Sequence, residues 1–417
     1  MNDRLQSGMR EASRLTRAGR LTEATALLQR VLESGRDSYS ASSNEDVPPT
    51  IDLVPETVLV TDPGPSLRSR QDFGAGAGSG AETGARAYLP EALRRFFDRM
   101  TPTGFARGLG GLAEPSPADT PDVPESGQFL AKFYSNEAGS RAYKLYVPSR
   151  YRGQPLPLII MLHGCTQSPD DFAAGTRMNL NAEDHNCFVA YPAQAVWANA
   201  SKCWNWFRPG DQERDQGEPS LIAGITRQVM SDYTIDADRV YAAGLSAGAA
   251  AAVILAATYP DLYAAIGVHS GLACGVASDV PSAFAAMRQS QPAARRRSGR
   301  PSPRGVVSRI VPAIVFHGDQ DLTVHPHNAD QIVAQLRGDP NTDMRVTVQQ
   351  GRVPGGRAYS RTLHHDASGQ VIFEQWIIRG AGHAWSGGSP TGSYTDPQGP
   401  DATREMLRFF LEHPMSF

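Results

Sequence analysis

The sequence predicts an α/β protein, a mostly parallel sheet flanked by helices, preceded by an extension that belongs to no sheet. Three observations lead there. After Gly127 short apolar runs alternate with stretches of helical periodicity, which is how βαβ units write themselves into a chain. Gly244-Leu-Ser246-Ala-Gly248 stands between an apolar strand and a helix of small residues, so a tight strand-to-helix turn is expected around Ser246. Before residue 127 the text changes to Ser, Asp, Pro, Gly and Ala, which cannot bury enough apolar surface to offset the entropy of ordering the chain.

The elements follow in order. Two strands are expected at Phe129–Ser135 and Arg141–Val147, then a buried strand at Leu156–Leu162. Ser168-Pro-Asp-Asp171 reads as a helix start, an N-cap with Pro at the first helical position. Further strands are expected at Cys187–Tyr191, Val240–Ala243, Ala264–Val268, Val311–Phe316 and Val371–Ile378. Helices are expected over Ile222–Tyr233, Ala247–Thr258 and Ala329–Leu336, with an amphipathic closing helix at Ala402–Glu412. These make one α/β domain over 127–417, interrupted at 288–308 by a Pro-, Ser- and Gly-rich stretch carrying six Arg and expected to be a disordered basic insertion.

The extension divides into two. Leu5, Met9, Ala12 and Leu15, then Leu21, Ala24, Leu27, Leu28 and Val31, recur at three- and four-residue steps around Gly19, which predicts a helical hairpin over 1–34. A mostly disordered linker follows over 35–126, with Leu89, Leu93, Phe96, Phe97 and Met100 marking a short amphipathic helix at 88–105. The first twenty residues carry no apolar stretch of secretory-signal length, so no export signal is read and a cytoplasmic location is expected.

Composition excludes several functions. The 40 Lys and Arg nearly balance 43 Asp and Glu, which disfavours a nucleic-acid partner. Leu156–Leu162, the best apolar run, is far short of the roughly 20 residues of a spanning helix, so no transmembrane segment is expected. No Cys/His spacing suits zinc, and no phosphate loop or dinucleotide fingerprint occurs, so neither metal nor cofactor is expected.

What remains is nucleophilic chemistry. A serine at such a turn sits above a helix N-terminus, whose free N–H groups suit a developing oxyanion, and Ala247 N–H is the obvious donor. The base and its acid should follow in the order Ser, acid, His. His317-Gly-Asp319-Gln-Asp321 ends one predicted strand and offers two carboxylates, while Gly380-Ala-Gly-His383 ends another. Ser246, Asp319 or Asp321, and His383 can thus meet at the carboxyl edge of one sheet. A second oxyanion donor is expected from the loop after Leu162, at Cys165 N–H. Trp204, Trp206 and Trp385 are expected to line a substrate cleft. Cys165 and Cys203 both lie in loops near the expected site; a bridge between them is open, although it conflicts with a cytoplasmic location.

These residues resemble a known family. From about Phe129 to Phe410 the chain is similar to esterases of the poly(3-hydroxybutyrate) depolymerase family, on Leu162-His-Gly-Cys-Thr-Gln167, Asp171-Phe-Ala-Ala-Gly-Thr-Arg-Met178, Cys203-Trp-Asn-Trp-Phe207, Gly244-Leu-Ser-Ala-Gly248, His317-Gly-Asp-Gln-Asp321 and Gly382-His-Ala-Trp-Ser-Gly-Gly388. The resemblance implies an α/β-hydrolase fold, a triad of Ser246, Asp321 and His383, and an oxyanion hole at Cys165 and Ala247. Asp321 is preferred because it takes the acid's place in the family's His-Gly-x-x-Asp pattern. The implied substrate is poly(3-hydroxybutyrate) or its oligomers, with a storage-granule surface as the possible setting, since the chain resembles the intracellular branch in showing neither signal peptide nor polymer-binding module. Feruloyl and acetylxylan esterases share much of the pattern, which keeps small acyl or feruloyl esters as an alternative. A granule-associated binding protein on an inactive hydrolase scaffold is the rival of another class.

Overall fold

A computed structural model of the chain describes residues 124, 127–288, 309–338 and 343–415. The hairpin expected over 1–34, the linker over 35–126 apart from residue 124, its helix at 88–105, and the basic stretch 288–308 beyond Arg288 lie outside the described residues.

One ten-stranded sheet organises the described chain. Strands β1 (Gln128–Asn136) and β2 (Gly139–Val147) form an antiparallel hairpin with Gln128 opposite Val147 and Asn136 opposite Gly139. Then come β3 (Leu156–Leu162), β4 (Phe188–Pro192), β5 (Ile235–Leu245), β6 (Ala265–His269) and β7 (Ala313–Gly318), followed by β8 (Arg345–Arg352), β9 (Ala358–His365) and β10 (Val371–Ile378). The order is β1-β2-β4-β3-β5-β6-β7-β10-β9-β8, parallel from β4 to β10 and antiparallel at both ends. β3 has β4 on one side and β5 on the other, so the strand order reverses there and a crevice opens at the carboxyl ends of β3 and β5.

Seven α-helices are present among the described residues: α1 (Pro169–Thr176), α2 (Met178–His185), α3 (Gly217–Asp232), α4 (Ala247–Thr258), α5 (Val280–Arg288), α6 (Asn328–Arg337) and α7 (Ala402–Glu412). Ile222 and Ile225 of α3, Val253 and Leu255 of α4 and Ile332 of α6 pack with Leu158, Ile160 and Val315 on one face. Phe172 of α1, Met178 of α2 and Met406, Phe409 and Phe410 of α7 pack with Ile159, Met161 and Phe316 on the other. The strands buried on both faces are the near-continuous apolar runs that made them legible.

The N-terminus of α1 forms as its sequence demands, the Ser168 hydroxyl accepting the Asp171 N–H at 3.1 Å with Pro169 in the first turn. Arg177 ends α1 in the left-handed region (φ 53°) and opens α2. The sequence did not lead to α2, α5, the β8–β9 hairpin or the short strands at Trp385–Ser386 and Thr395–Asp396. β8 and β9 are polar and largely half-buried or exposed; β9 pairs with β10, β8 pairs with β9 and forms the sheet edge, and His364 and His365 lie on β9. Two-residue strands β11 (Trp385–Ser386) and β12 (Thr395–Asp396) pair beside the crevice loops. No helix among the described residues is long and apolar enough to cross a membrane.

Candidate active site

Ser246 sits between the last residue of β5 and the first of α4 with φ 57° and ψ −117°, a strained conformation for a residue with a side chain. Its flanking glycines are required by contact. A Cβ at Gly244 would lie 2.4 Å from the Gly248 carbonyl carbon, and one at Gly248 would lie 2.0 Å from the Leu162 carbonyl oxygen. The strand, the helix and the end of β3 therefore touch backbone to backbone under the serine. The Ser246 N–H donates to the His269 carbonyl and the Ala250 N–H to the Ser246 carbonyl, both at 2.9 Å, which fixes the turn from both sides.

Asp321 lies in the loop after β7 and His383 in the loop after β10, parallel neighbours in the sheet. His383 Nδ1 is 2.7 Å from Asp321 Oδ2. The other carboxylate oxygen accepts the Thr323 and Val324 N–H groups, each at 2.9 Å. His317 supports the same carboxylate: its Nε2 lies 2.8 Å from the Val324 carbonyl and 3.4 Å from Asp321 Oδ2. Burial by itself would raise the Asp321 pKa, but the charge and hydrogen bond of His383 and the bond from His317 outweigh it and hold the carboxyl well below its usual range. Asp319, the other carboxylate of the loop, turns away and accepts the Gly380 N–H at 2.7 Å, steadying the loop that carries His383.

Ser246, His383, Cys165 and Ala247 line one cleft of about 870 Å³, open solvent at its mouth included. Neither the Cys165 N–H nor the Ala247 N–H has a hydrogen-bond partner among the described residues, and both residues line the cleft together with Ser246. Such an arrangement suits a carbonyl oxygen that gains charge as its carbon is attacked.

The three tryptophans separate. Trp206 lines the cleft as expected. Trp204 and Trp385 do not: each is fully buried, and each indole N–H is spent on a structural partner, Trp204 on the His163 carbonyl (3.1 Å) and Trp385 on Thr403 Oγ1 (3.0 Å). They pack the core because a buried indole needs both apolar contact and an acceptor, and those positions supply both. The apolar wall comes instead from Phe207, at the end of the Cys203–Phe207 motif, and from Leu272 and from Val280, Phe284 and Met287 of α5, four residues that carry no motif in sequence and come together only through the fold. Tyr394, on the loop between β11 and β12, completes the lining.

Two further histidines are structural. His163 Nε2 accepts the Gln194 N–H and its Nδ1 meets the Gly164 carbonyl; burial pushes its pKa down to about 4. His269 Nε2 accepts the Ser386 N–H, and burial with the nearby charges of His317 and His383 pushes it down to about 3. Glu218, a buried carboxylate missed in the sequence, accepts the Asn205 N–H (2.6 Å) and Asn205 Nδ2 (2.7 Å) and so shapes the 203–207 wall. Cys165 and Cys203 are joined in a disulfide with Cα atoms 4.2 Å apart, which answers the pairing that the sequence left open and ties this wall to the loop after β3.

The comparisons with known proteins accord with this geometry. Residues 141–351, just over half the chain, match the family model described as esterase PHB depolymerase. The chain belongs to this family. Poly(3-hydroxyalkanoate) depolymerase C of Paucimonas lemoignei is 34% identical over 263 residues, 61% of this chain and 60% of that protein, so the chain spans under two thirds of that relative. Feruloyl esterase B of Neurospora crassa is 29% identical over 265 residues, 61% of this chain and 87% of that protein. Among solved structures, an acetyl xylan esterase from Aspergillus awamori covers 62% of this chain and 94% of its own, with a TM-score of 0.50 at 21% identity, a likeness of fold. The esterase family and the sheet topology together make the domain an α/β-hydrolase fold, as the resemblance implied. The family match includes Ser246 and Asp321 and ends before His383, whose place at the site rests on its bond to Asp321.

Proposed function

We propose that the chain is a serine esterase that hydrolyses poly(3-hydroxybutyrate) or its oligomers through an acyl-enzyme. The observation that carries this reading is the 2.7 Å bond between His383 and Asp321 at a cleft that also holds Ser246 on its strained turn. His383 takes the Ser246 hydroxyl proton as Oγ attacks the ester carbonyl carbon. The oxyanion forms against Cys165 and Ala247 N–H. Collapse breaks the ester C–O bond, and His383 returns the proton to the leaving alcohol. Water then attacks the acyl-enzyme with His383 again as base, releasing the acid and restoring Ser246. Asp321 holds the imidazole orientation and balances its charge when protonated.

Polyester as substrate is supported by the name of the Paucimonas lemoignei relative, and small or feruloyl esters by that of the Neurospora crassa relative and by the apolar cleft wall. A cytoplasmic, granule-associated setting belongs to the first reading; the Cys165–Cys203 disulfide weighs for an oxidising compartment instead. Cell fractionation with thiol labelling of the recovered protein separates the two settings.

The test of function is release of 3-hydroxybutyrate from amorphous polymer granules by the wild type and by Ser246→Ala, with a soluble butyrate ester as control. Release by the wild type alone is expected. Turnover of the soluble ester without polymer release would select the second reading, and full activity in Ser246→Ala would remove the mechanism.

A further inference from the structure

We propose that Gln167 is a positioning residue that aims the Cys165 N–H at the reacting carbonyl by bracing the turn after β3 against the 393–394 loop. The proposal rests on the serine-esterase reading, in which that N–H holds the oxyanion.

The Cys165 N–H belongs to the peptide unit that also carries the Gly164 carbonyl, and in a planar trans peptide the two point in opposite directions. Whatever fixes the Gly164 oxygen therefore aims the Cys165 N–H. That oxygen is held by His163 Nδ1 at 2.7 Å and by the Gln167 backbone N–H at 3.4 Å. On the other side of Gly164, its own N–H donates to Gln167 Oε1 at 2.9 Å. Gln167 thus contacts the peptide units on both sides of the Gly164 Cα.

Its amide nitrogen reaches another part of the chain. Nε2 donates to Asp171 Oδ2 (2.9 Å), to the Ser393 carbonyl (3.1 Å) and to Ser393 Oγ (3.2 Å). Asp171 in turn accepts the Ser393 N–H (2.8 Å) and hydroxyl (2.6 Å). The partners settle the amide orientation: turned over, its nitrogen would face the Gly164 N–H and its oxygen a carboxylate. Gln167 is only 2% exposed, so water cannot replace these bonds.

Strain marks the same junction. Thr166 (φ 68°) and Tyr394 (φ 53°) both occupy the left-handed region, uncommon for a β-branched residue and an aromatic one, and their hydroxyls lie 3.3 Å apart. The Thr166 N–H donates to the Ser201 carbonyl (2.7 Å) and the Tyr394 carbonyl accepts the Trp385 N–H (2.6 Å), and the Gln167 bridge ties these two loops to each other. The turn it braces lies against the nucleophile, since a Cβ at Gly164 would stand 3.7 Å from that of Ser246.

An oxyanion donor acts on the transition state more than on the bound ester, so its misdirection lowers kcat rather than raising KM. The experiment compares full-length wild type, Gln167→Met, which keeps the side-chain length without the amide, and Ser393→Ala, at an exposed position. Sites are counted with a fluorophosphonate, kcat and KM are measured on a soluble butyrate ester, and affinity for a phenylboronate is measured as the tetrahedral mimic. Gln167→Met is expected to lose roughly 10- to 100-fold in kcat per titrated site, short of the ~10²–10³ for outright loss of a donor. KM should hold within about threefold and boronate affinity should fall in parallel with kcat. Ser393→Ala should lose in the same sense by a smaller factor. Unchanged kcat per site in Gln167→Met, or a loss confined to KM or to the number of titratable sites, overturns the proposal; should Gln167→Met fail to fold, unchanged kcat in Ser393→Ala does so. A wild type that turns over no ester would remove the esterase reading and this proposal with it, whereas an active wild type beside an unimpaired Gln167→Met removes this proposal alone.

Discussion

Asp319 and Asp321, two residues apart on one loop, do different work because their neighbours differ. Asp321 accepts Thr323 N–H, Val324 N–H and His383; Asp319 accepts the Gly380 N–H and faces Arg379. Spacing from Ser246 leaves both open, and only the family's pattern pointed to Asp321. Asp321→Asn is expected to lower kcat on a soluble ester by on the order of 10³–10⁴-fold, since an amide holds the imidazole in the wrong tautomer. Asp319→Asn should stay near the wild-type value, and comparable losses in the two variants would contradict the assignment. The tryptophans teach the same lesson. Trp204 and Trp206 share one polar-looking segment, yet Trp204 has an acceptor waiting in the core and Trp206 faces the cleft. Nothing local to Cys203–Phe207 distinguishes them, because the acceptor lies on a chain segment 41 residues away.

At the level of elements, the turn around Ser246 was the most legible feature, because its requirements are met within five residues. A strand must end, a helix must begin, and the glycines must admit backbone from β3. Gly248→Ala is expected to cost about 3 kcal/mol or more, since its methyl would press into the Leu162 carbonyl rather than a yielding side chain. Gly210→Ala, where an added Cβ meets nothing within 4 Å, should stay within about 0.5 kcal/mol of wild type. Urea unfolding of both variants checks the contrast, and equal stabilities would refute it. Strands buried on both faces, such as β3 and β7, were readable as apolar runs; β8 and β9 were not, because an edge hairpin that is mostly half-buried or exposed needs no such run.

For the whole molecule, the buried neutral His163 and His269 and the buried Asp321 each make stability fall with acid. His163 and His269, at about 4 and about 3 in the fold, return to ~6.5 when the chain unfolds. The unfolded chain therefore takes up their protons first, so their contribution to stability is complete above about pH 6.5 and is lost as the pH falls toward those values, each by up to ~1.4 kcal/mol per pH unit. Asp321 acts in the same sense lower down: its depressed pKa contributes stability above the unfolded value of ~3.9 and loses it below. Tm is expected to fall steadily from about pH 6.5 to pH 4, and a profile flat across that interval would contradict this account.

The sequence by itself determined what depends on near neighbours along the chain: the tight turn around Ser246, the Ser168 cap, the sheet strands with continuous apolar runs, and the family to which their motifs belong. The tertiary structure decided what depends on encounters between distant segments. His383 chooses Asp321 across 62 residues, Cys165 joins Cys203 across 38, and Gln167 reaches Ser393 across 226. Local conformation is governed by sterics and hydrogen bonds within a turn or two, whereas a partner for a carboxylate, a thiol or an amide is whatever group the completed sheet carries to within about 3 Å.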